Sequence, residues 1–141
     1  MSSINLKTSV PGPRSKTVFA ERAKHVAPGP FHTTPIVAER AEGATITDVD
    51  GNTFLDFACG IGVTNLGHGE PSVVAAAKAQ AGKFFHTSIN VVAYEGYVQV
   101  AKRLNERAPG NFAKKTFLAN SGAEAVENAI KFARAYTSAR R

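Results

Sequence analysis

Residues 121–124, Ser-Gly-Ala-Glu, combine a helix cap with side chains that leave the backbone open. Ser121 is a favoured N-cap residue, and Glu124 stands three positions later, which is the spacing of a capping box. Gly122 and Ala123 place almost no side chain around the first N–H groups of the helix. A helix N-terminus carries unpaired N–H donors and about half a positive charge, so this one can bind a phosphate group. A capped surface helix with nothing bound explains the same residues equally well.

The surrounding residues predict a strand that leads into this helix. Val126, Ala129, Ile130 and Ala133 recur at helical spacing and form one apolar face. The short apolar run at 116–119 predicts a buried strand just before the cap. Ligands of open α/β sheets bind at the carboxyl ends of the strands, so the order of these elements favours an α/β fold. A Walker loop is excluded, because no Gly-Lys-Ser/Thr follows a glycine run.

Further upstream, the pattern predicts a β-hairpin followed by a glycine-rich loop. Residues 44–49 and 53–57 alternate in the manner of strands, and Asp-Gly-Asn at 50–52 is a strong turn signal. The loop at 59–69 contains four glycines, which permit positive φ and close backbone approach. A plain connector is the alternative explanation of this loop.

Three more helices are expected along the chain. The first spans 17–26 with Thr17 as its cap, and the second spans 72–83 after Pro71, which suits the first helical position. The third spans 92–107. Three regions follow from these elements: a flexible leader with a short helix at 1–35, the hairpin and glycine loop at 36–70, and the start of a larger domain at 71–141.

The composition of the chain excludes several classes of function. The chain has 141 residues, of which 43% are hydrophobic and 20% charged, and its net charge is +6. The basic residues are scattered without interleaved aromatics, so nucleic-acid binding is not expected. If the chain did bind nucleic acid, its affinity for DNA would depend steeply on salt. The apolar runs are too short for a membrane span, and the N-terminus lacks the apolar core of a secretory signal. A single cysteine suits a reducing, cytoplasmic compartment.

The residues most often used as ligands or nucleophiles are dispersed. His25, His32, His68 and His86 show no metal-binding spacing, so no metal site is predicted. His68 lies in the glycine loop, where a structural hydrogen bond is favoured over proton transfer. Cys59 is interpreted as a packed small thiol rather than a nucleophile.

Several segments resemble one enzyme family in the correct order. NSGAEAVENAIKFARAYT at 120–137 resembles the phosphate-binding turn and helix of the class III, fold-type I aminotransferases, which use pyridoxal 5'-phosphate. GATITDVDGNTFLDFACGIGVTNLGHGEPSVVAAAKAQ at 43–80 resembles the N-terminal block of that family. Residues 94–135 are most similar to its 4-aminobutyrate branch.

The resemblance implies a fold and a set of site residues. The fold is the N-terminal portion of the fold-type I transferases: a β-hairpin and helices leading into the start of a large-domain doubly wound sheet, here incomplete. The backbone N–H groups of Gly122 and Ala123, with Ser121 as cap and hydroxyl donor, match part of the phosphate site. Ile61 matches an apolar position of the substrate pocket.

The resemblance also implies an activity and partners. Family members are dimers, and the reaction moves an amino group from an ω-amino acid such as 4-aminobutyrate to 2-oxoglutarate. The Schiff-base lysine, the acid that pairs with the ring nitrogen and the stacking aromatic are expected beyond Arg141. No catalytic residue is therefore assigned, and the chain alone is expected to be inactive. The alternative is an inactive truncated product that binds phosphate weakly or associates with an intact subunit.

Overall fold

The computed structural model describes residues 4–139, which form five helices and three strands in two compact units. The first unit comprises residues 4–85 and the second residues 86–139. This content confirms the predicted α/β class. The elements, in chain order, are α1 (Pro13–His25), β1 (Ala38–Glu42), β2 (Thr45–Asp48), β3 (Thr53–Leu55), α2 (Cys59–Gly62), α3 (Pro71–Ala81), α4 (Glu95–Arg107) and α5 (Gly122–Ser138).

The three strands form one antiparallel sheet in the order β1-β2-β3. The predicted hairpin is confirmed as β2 and β3, with Ile46 opposite Phe54. Gly51 adopts a φ of +83° in the turn, which is the conformation that glycine permits. β1 pairs with β2 but was not predicted, because its sequence Ala-Glu-Arg-Ala-Glu carries no apolar alternation and four of its five residues are exposed.

A buried polar cluster lies under the hairpin turn. Asp48 and Asn52 are both 0% exposed. Asp48 Oδ1 accepts the amides of Asp50 and Asn52, and Asn52 Nδ2 donates to Asp48 Oδ2 at 2.8 Å. Asn52 Oδ1 in turn accepts the amides of Lys7 and Thr8 at 2.7 and 2.9 Å. The turn therefore fixes the N-terminal segment to the sheet through hydrogen bonds rather than apolar packing.

The same turn caps α1. The Asp50 carboxylate accepts the amide of Arg14 at 2.7 Å and both the amide and the hydroxyl of Ser15 at 2.9 and 2.6 Å. The prediction that this helix begins at Thr17 was wrong, because the cap is supplied by a carboxylate 35 residues away from Ser15 and not by a neighbouring hydroxyl. The helix begins four residues earlier, with Pro13 in its first turn.

Replacing Gly12 with alanine should destabilise the first unit. A Cβ on Gly12 would lie 2.3 Å from Asp50 Cγ, which would push the carboxylate away from the amides at the start of α1. The expected loss in the free energy of unfolding is about 1–3 kcal/mol, from overpacking and from the weakened cap. Gly29→Ala is the matched control, because a Cβ there meets nothing within 4 Å. Equal urea midpoints for the two variants would contradict the prediction.

Two further helices follow the prediction with one shift. α3 begins at Pro71 as expected, and the Glu70 carboxylate caps it by accepting the Val73 amide at 2.9 Å. The third helix was predicted from residue 92 but begins at Glu95. The reason is a separate turn, in which the carbonyl of Ser88 accepts the amides of residues 91 and 92 before the helix starts.

The strand predicted at 116–119 is not formed. A strand needs a hydrogen-bonded neighbour, and the three strands of the described residues all lie in the first unit. The segment is nevertheless anchored by side chains: Thr116 Oγ1 donates to Asn105 Oδ1 at 2.7 Å, and the rings of Phe117 and Phe132 meet edge to face at 5.8 Å. It therefore leads from α4 into α5 without a ladder of its own.

The helices keep their apolar faces exposed. No hydrophobic residue of the described chain is buried, and Ile130 and Phe132 on α5 remain more than half exposed. None of the helices in residues 4–139 has the length and hydropathy needed to cross a membrane.

Candidate functional site

The start of α5 carries the predicted cap. Ser121 has extended backbone angles, and its Oγ accepts the amide of Glu124 at 3.2 Å. The Glu124 carboxylate reaches back and accepts the amide of Asn120 at 2.8 Å. Each member of the box thus satisfies one backbone donor. The Glu124 side chain reaches one residue further back than in the usual box, and this leaves the Ser121 amide unused.

The next amides are open. Within residues 4–139, the backbone N–H groups of Ser121, Gly122 and Ala123 have no hydrogen-bond acceptor, and the first backbone bond of the helix runs from Ala125 to the Ser121 carbonyl at 3.0 Å. A Cβ built on Gly122 meets nothing within 4 Å, and all three residues are exposed. Three adjacent donors at the positive end of a helix dipole therefore face no competing side chain.

This arrangement fits a phosphate group. A phosphate monoester carries nearly two negative charges and three strong acceptor oxygens, and a helix start with free N–H groups supplies matching donors. The Ser121 hydroxyl oxygen already accepts a bond from Glu124, but its hydrogen is still free to donate. The geometry is therefore compatible with an anion at the start of α5.

Ile61, the predicted pocket residue, lies in an unusual turn of the first unit. The four residues of α2 have left-handed φ values: 49° at Cys59, 61° at Gly60, 59° at Ile61 and 80° at Gly62. Each non-glycine residue there costs roughly 1–2 kcal/mol, and a β-branched residue is an outlier. The Ile61 side chain is 96% exposed. The glycine pattern predicted a loop with positive φ but not that Cys59 and Ile61 would share it.

Asp56 is the residue that holds this turn. Its Oδ1 accepts the amides of Ala58 and Cys59, both at 2.9 Å, and its Oδ2 lies 2.6 Å from His68 Nε2. The Asp56 side chain is 7% exposed and that of His68 22%. Asp56 was missed in the sequence, where it reads only as the polar end of a strand. The hydrogen bond favoured for His68 is present.

The backbone around His68 is fixed as well. Its amide donates to the Gly43 carbonyl at 2.8 Å, and the Gly43 amide donates back at 2.9 Å. Gly67 has a φ of +88°, and a Cβ on it would stand 3.2 Å from Gly43 Cα. The glycine loop is thereby pinned to the turn between β1 and β2, and the plain-connector interpretation of the loop does not describe these contacts.

The pKa of Asp56 is lowered from its ordinary value of 3.8. The hydrogen bond from His68 is the largest cause, and the amide of Cys59 adds to it, while burial opposes them. Because the folded state favours the carboxylate, Asp56 stabilises the fold above its ordinary pKa. This stabilisation is lost as the pH falls below 3.8 through the folded-state pKa.

The difference in stability between an Asp56→Asn variant and the wild type should therefore depend on pH. We expect the variant to be less stable at neutral pH and the difference to shrink as the pH falls below about 4. The lowered pKa values of Asp50 and Glu70 keep part of the acid dependence in the variant. Glu42→Gln, which changes an exposed carboxyl of β1, is the control. Urea unfolding between neutral pH and pH 3 measures the effect, and a constant difference across that range would contradict it.

The two sets of predicted residues lie in different units and are described separately: Ile61 in the first, and Ser121, Gly122 and Ala123 in the second. Within the described part of the chain, no three His, Cys, Asp or Glu side chains gather around a point that could hold a metal ion. Lys131 is paired with Glu127 at 2.7 Å, and it follows Gly122 by nine residues, or about 13 Å along the helix.

Comparison with known proteins identifies the family. The family described as aminotransferase class-III matches residues 26–141. The chain is 48% identical over 132 residues to the 4-aminobutyrate aminotransferase of Mycobacterium bovis, covering 94% of this chain and 29% of that protein. It is also 48% identical over 123 residues to the 5-aminovalerate aminotransferase of Pseudomonas aeruginosa, covering 87% of this chain and 29% of that protein.

A solved structure agrees with these relatives. The N-acetylornithine aminotransferase of Stenotrophomonas maltophilia superimposes with a TM-score of 0.71 at 39% identity, over 86% of this chain and 31% of that one. The chain thus spans less than a third of the length of the proteins it matches. On the family match and the shared fold, the chain belongs to the class III aminotransferases, a family that depends on pyridoxal 5'-phosphate.

Proposed function

We propose that the chain is the N-terminal portion of a cytoplasmic transaminase that moves an amino group from an ω-amino acid to 2-oxoglutarate with pyridoxal 5'-phosphate. One observation carries the proposal: a capped helix start with three open amides, in a chain of a family that depends on a phosphate-bearing cofactor. The resemblance of the sequence to the 4-aminobutyrate branch supports the choice of donor and acceptor.

The start of α5 would hold the cofactor's phosphate. The N–H groups of Gly122 and Ala123 donate to its oxygens, and the hydroxyl of Ser121 adds a third donor while keeping its bond from the Glu124 amide. The dipole of a 17-residue helix favours the negative charge at this end. The small side chains of Gly122 and Ala123 leave these amides unobstructed, so the phosphate contacts the backbone directly.

The cofactor, when bound, supplies an electron sink that weakens the bonds at the carbon bearing the amino group. The described residues of this chain bind and orient; none is assigned to the proton transfer. We therefore expect no turnover by the isolated chain of 141 residues. The first turn of α5 contains no lysine, and Lys131, further along the helix, is paired with Glu127.

Ile61 would form an apolar wall of the substrate pocket. Its side chain is almost fully exposed on a turn that hydrogen bonds hold in place. An ω-amino acid carries a run of methylene groups between its amino group and its carboxylate, and each methylene buried against such a wall is worth about 0.8 kcal/mol. The wall favours a donor of this kind over a shorter, more polar one.

The preferred chain length of the amino donor can be found by comparing two substrates. Two relatives of equal identity, 48%, bear the names of 4-aminobutyrate and 5-aminovalerate aminotransferases. These donors differ by one methylene, which a binding pocket distinguishes by roughly 1–3 kcal/mol. We propose 4-aminobutyrate as the preferred donor and 5-aminovalerate as a slower one.

A second candidate function has an observation of its own. No hydrophobic residue in the described chain is buried, and the exposed side chains of Val126, Ile130 and Phe132 lie on one helix. Such a surface favours association. In this alternative the chain binds phosphate weakly and associates with an intact subunit without turnover. Pairing is also proposed for the active form, as a homodimer.

A hybrid enzyme tests the proposed activity. The aligned 132 residues of the Mycobacterium bovis 4-aminobutyrate aminotransferase are replaced by the corresponding residues of this chain. We expect the hybrid to form glutamate from 4-aminobutyrate and 2-oxoglutarate, and the isolated chain to form none. The parent enzyme is the control. A folded hybrid that neither retains the cofactor nor forms glutamate would contradict the proposal, and turnover by the isolated chain would contradict the assignment of roles.

A further inference from the structure

Among the described residues, the left-handed turn of α2 contains two of the three non-glycine residues with a positive φ, Cys59 and Ile61. Gly60 and Gly62 permit a positive φ but do not enforce it, and Cys59 and Ile61 disfavour it. Residues held in such conformations persist only where the surroundings over-determine them. Something other than the local sequence must therefore keep Ile61 at a φ of 59°.

The support can be traced contact by contact. The Gly43 backbone fixes His68 with two hydrogen bonds of 2.8 and 2.9 Å. His68 Nε2 lies 2.6 Å from Asp56 Oδ2, and the opposite carboxylate oxygen accepts the amides of Ala58 and Cys59 where the turn begins. With Asp56 ionised, Nε2 carries the proton and donates it. A short charge-assisted bond of this kind fixes direction as well as distance.

We propose that Asp56 and His68 are positioning residues for the substrate pocket: their hydrogen bond keeps residues 59–62 in the left-handed turn and so fixes the place of Ile61. The functional part rests on the proposed function, in which Ile61 contacts the donor. If the bond is lost, Asp56 is free to rotate, and Cys59 and Ile61 relax to negative φ. That relaxation re-aims the Ile61 side chain.

The conformational part is tested on the full chain of 141 residues by NMR. The backbone couplings and carbon shifts of Ile61 report the sign of its φ. His68→Gln retains an N–H donor close to the position of Nε2, and His68→Leu removes it. His86→Leu is the matched control, because His86 is exposed and lies outside the turn. We expect a positive φ in the wild type, His68→Gln and His86→Leu, and its loss in His68→Leu.

The functional part is tested by introducing the same changes into the hybrid enzyme. His68→Leu should raise the KM for 4-aminobutyrate by roughly tenfold or more, the size expected for a lost apolar contact, with cofactor content unchanged. His68→Gln should restore the KM. A purely structural role would instead lower kcat and cofactor content together.

Several outcomes would overturn the inference. One is an Ile61 φ that is not positive in the wild-type chain, and another is a φ that stays positive in His68→Leu. General unfolding of His68→Leu, with His68→Gln intact, would assign the pair to the stability of the whole unit and would also overturn it. An inactive wild-type hybrid would count against the proposed function alone, since the φ of Ile61 remains readable without activity.

Discussion

Replacing Gly122 with glutamate is expected to weaken phosphate binding at the start of α5 at least about tenfold while leaving the helix folded. The substitution is sterically free, because a Cβ at this position meets nothing within 4 Å. The new carboxylate would stand beside the open amides of Gly122 and Ala123, where it competes for the donors and repels the anion. Repulsion of about 1 kcal/mol per pair of unit charges in water acts on a phosphate with nearly two charges, so phosphate affinity should fall at least about tenfold.

Gly96→Glu is the matched control, because it makes the same change in the first turn of α4, where a Cβ meets only Tyr94 Cδ2 at 3.9 Å. The dissociation constant for inorganic phosphate measures the effect in the chain, and the bound cofactor content measures it in the hybrid. Circular dichroism verifies that both variants keep their helices. Unchanged phosphate affinity in Gly122→Glu would show that the anion binds elsewhere.

Replacing Asn52 with alanine should produce the largest loss of stability in the first unit. The Asn52 side chain is fully buried and joins Asp48, the Lys7 amide and the Thr8 amide. Its removal leaves a buried carboxylate oxygen without its amide donor, and two backbone amides without an acceptor. Unsatisfied buried groups cost about 1–3 kcal/mol each, so we expect a loss of about 3–5 kcal/mol in the free energy of unfolding.

Asn128→Ala is the control for this change. Asn128 is partly exposed on α5, and its side chain makes one hydrogen bond, to the Glu124 carbonyl at 2.8 Å. We expect less than about 0.5 kcal/mol for such a surface change. Urea unfolding followed at the amides of β2 and β3 reads the first unit directly. Similar losses for the two variants would mean that the buried cluster does not hold the N-terminal segment.

The elements that are determined by neighbouring residues could be predicted from the sequence. The cap of α5, the turn at 50–52 and the first turn of α3 are each determined by residues within a few positions, and the structure shows all of them. The class III family and its α/β fold followed from the order of several motifs.

The elements that depend on residues far away in the sequence could not be predicted. The start of α1 depends on Asp50, which no pattern near Pro13 reveals. β1 is defined only by its pairing with β2. The segment at 116–119 has the composition of a strand but lacks a partner in the described residues. The left-handed turn depends on His68, twelve residues beyond Asp56. The residues assigned to the cofactor and to the donor stay predictions until binding is measured.

The most direct test of the central claim is an NMR titration of the chain with pyridoxamine 5'-phosphate, which carries the phosphate but no aldehyde to react with lysines. Pyridoxamine without the phosphate is the matched control ligand. We expect chemical-shift changes concentrated at the amides of Gly122 and Ala123, with a smaller change at Ser121, for the phosphorylated ligand alone. Shifts spread over the lysine-bearing segments, shifts equal for both ligands, or no shifts at the start of α5 would contradict it.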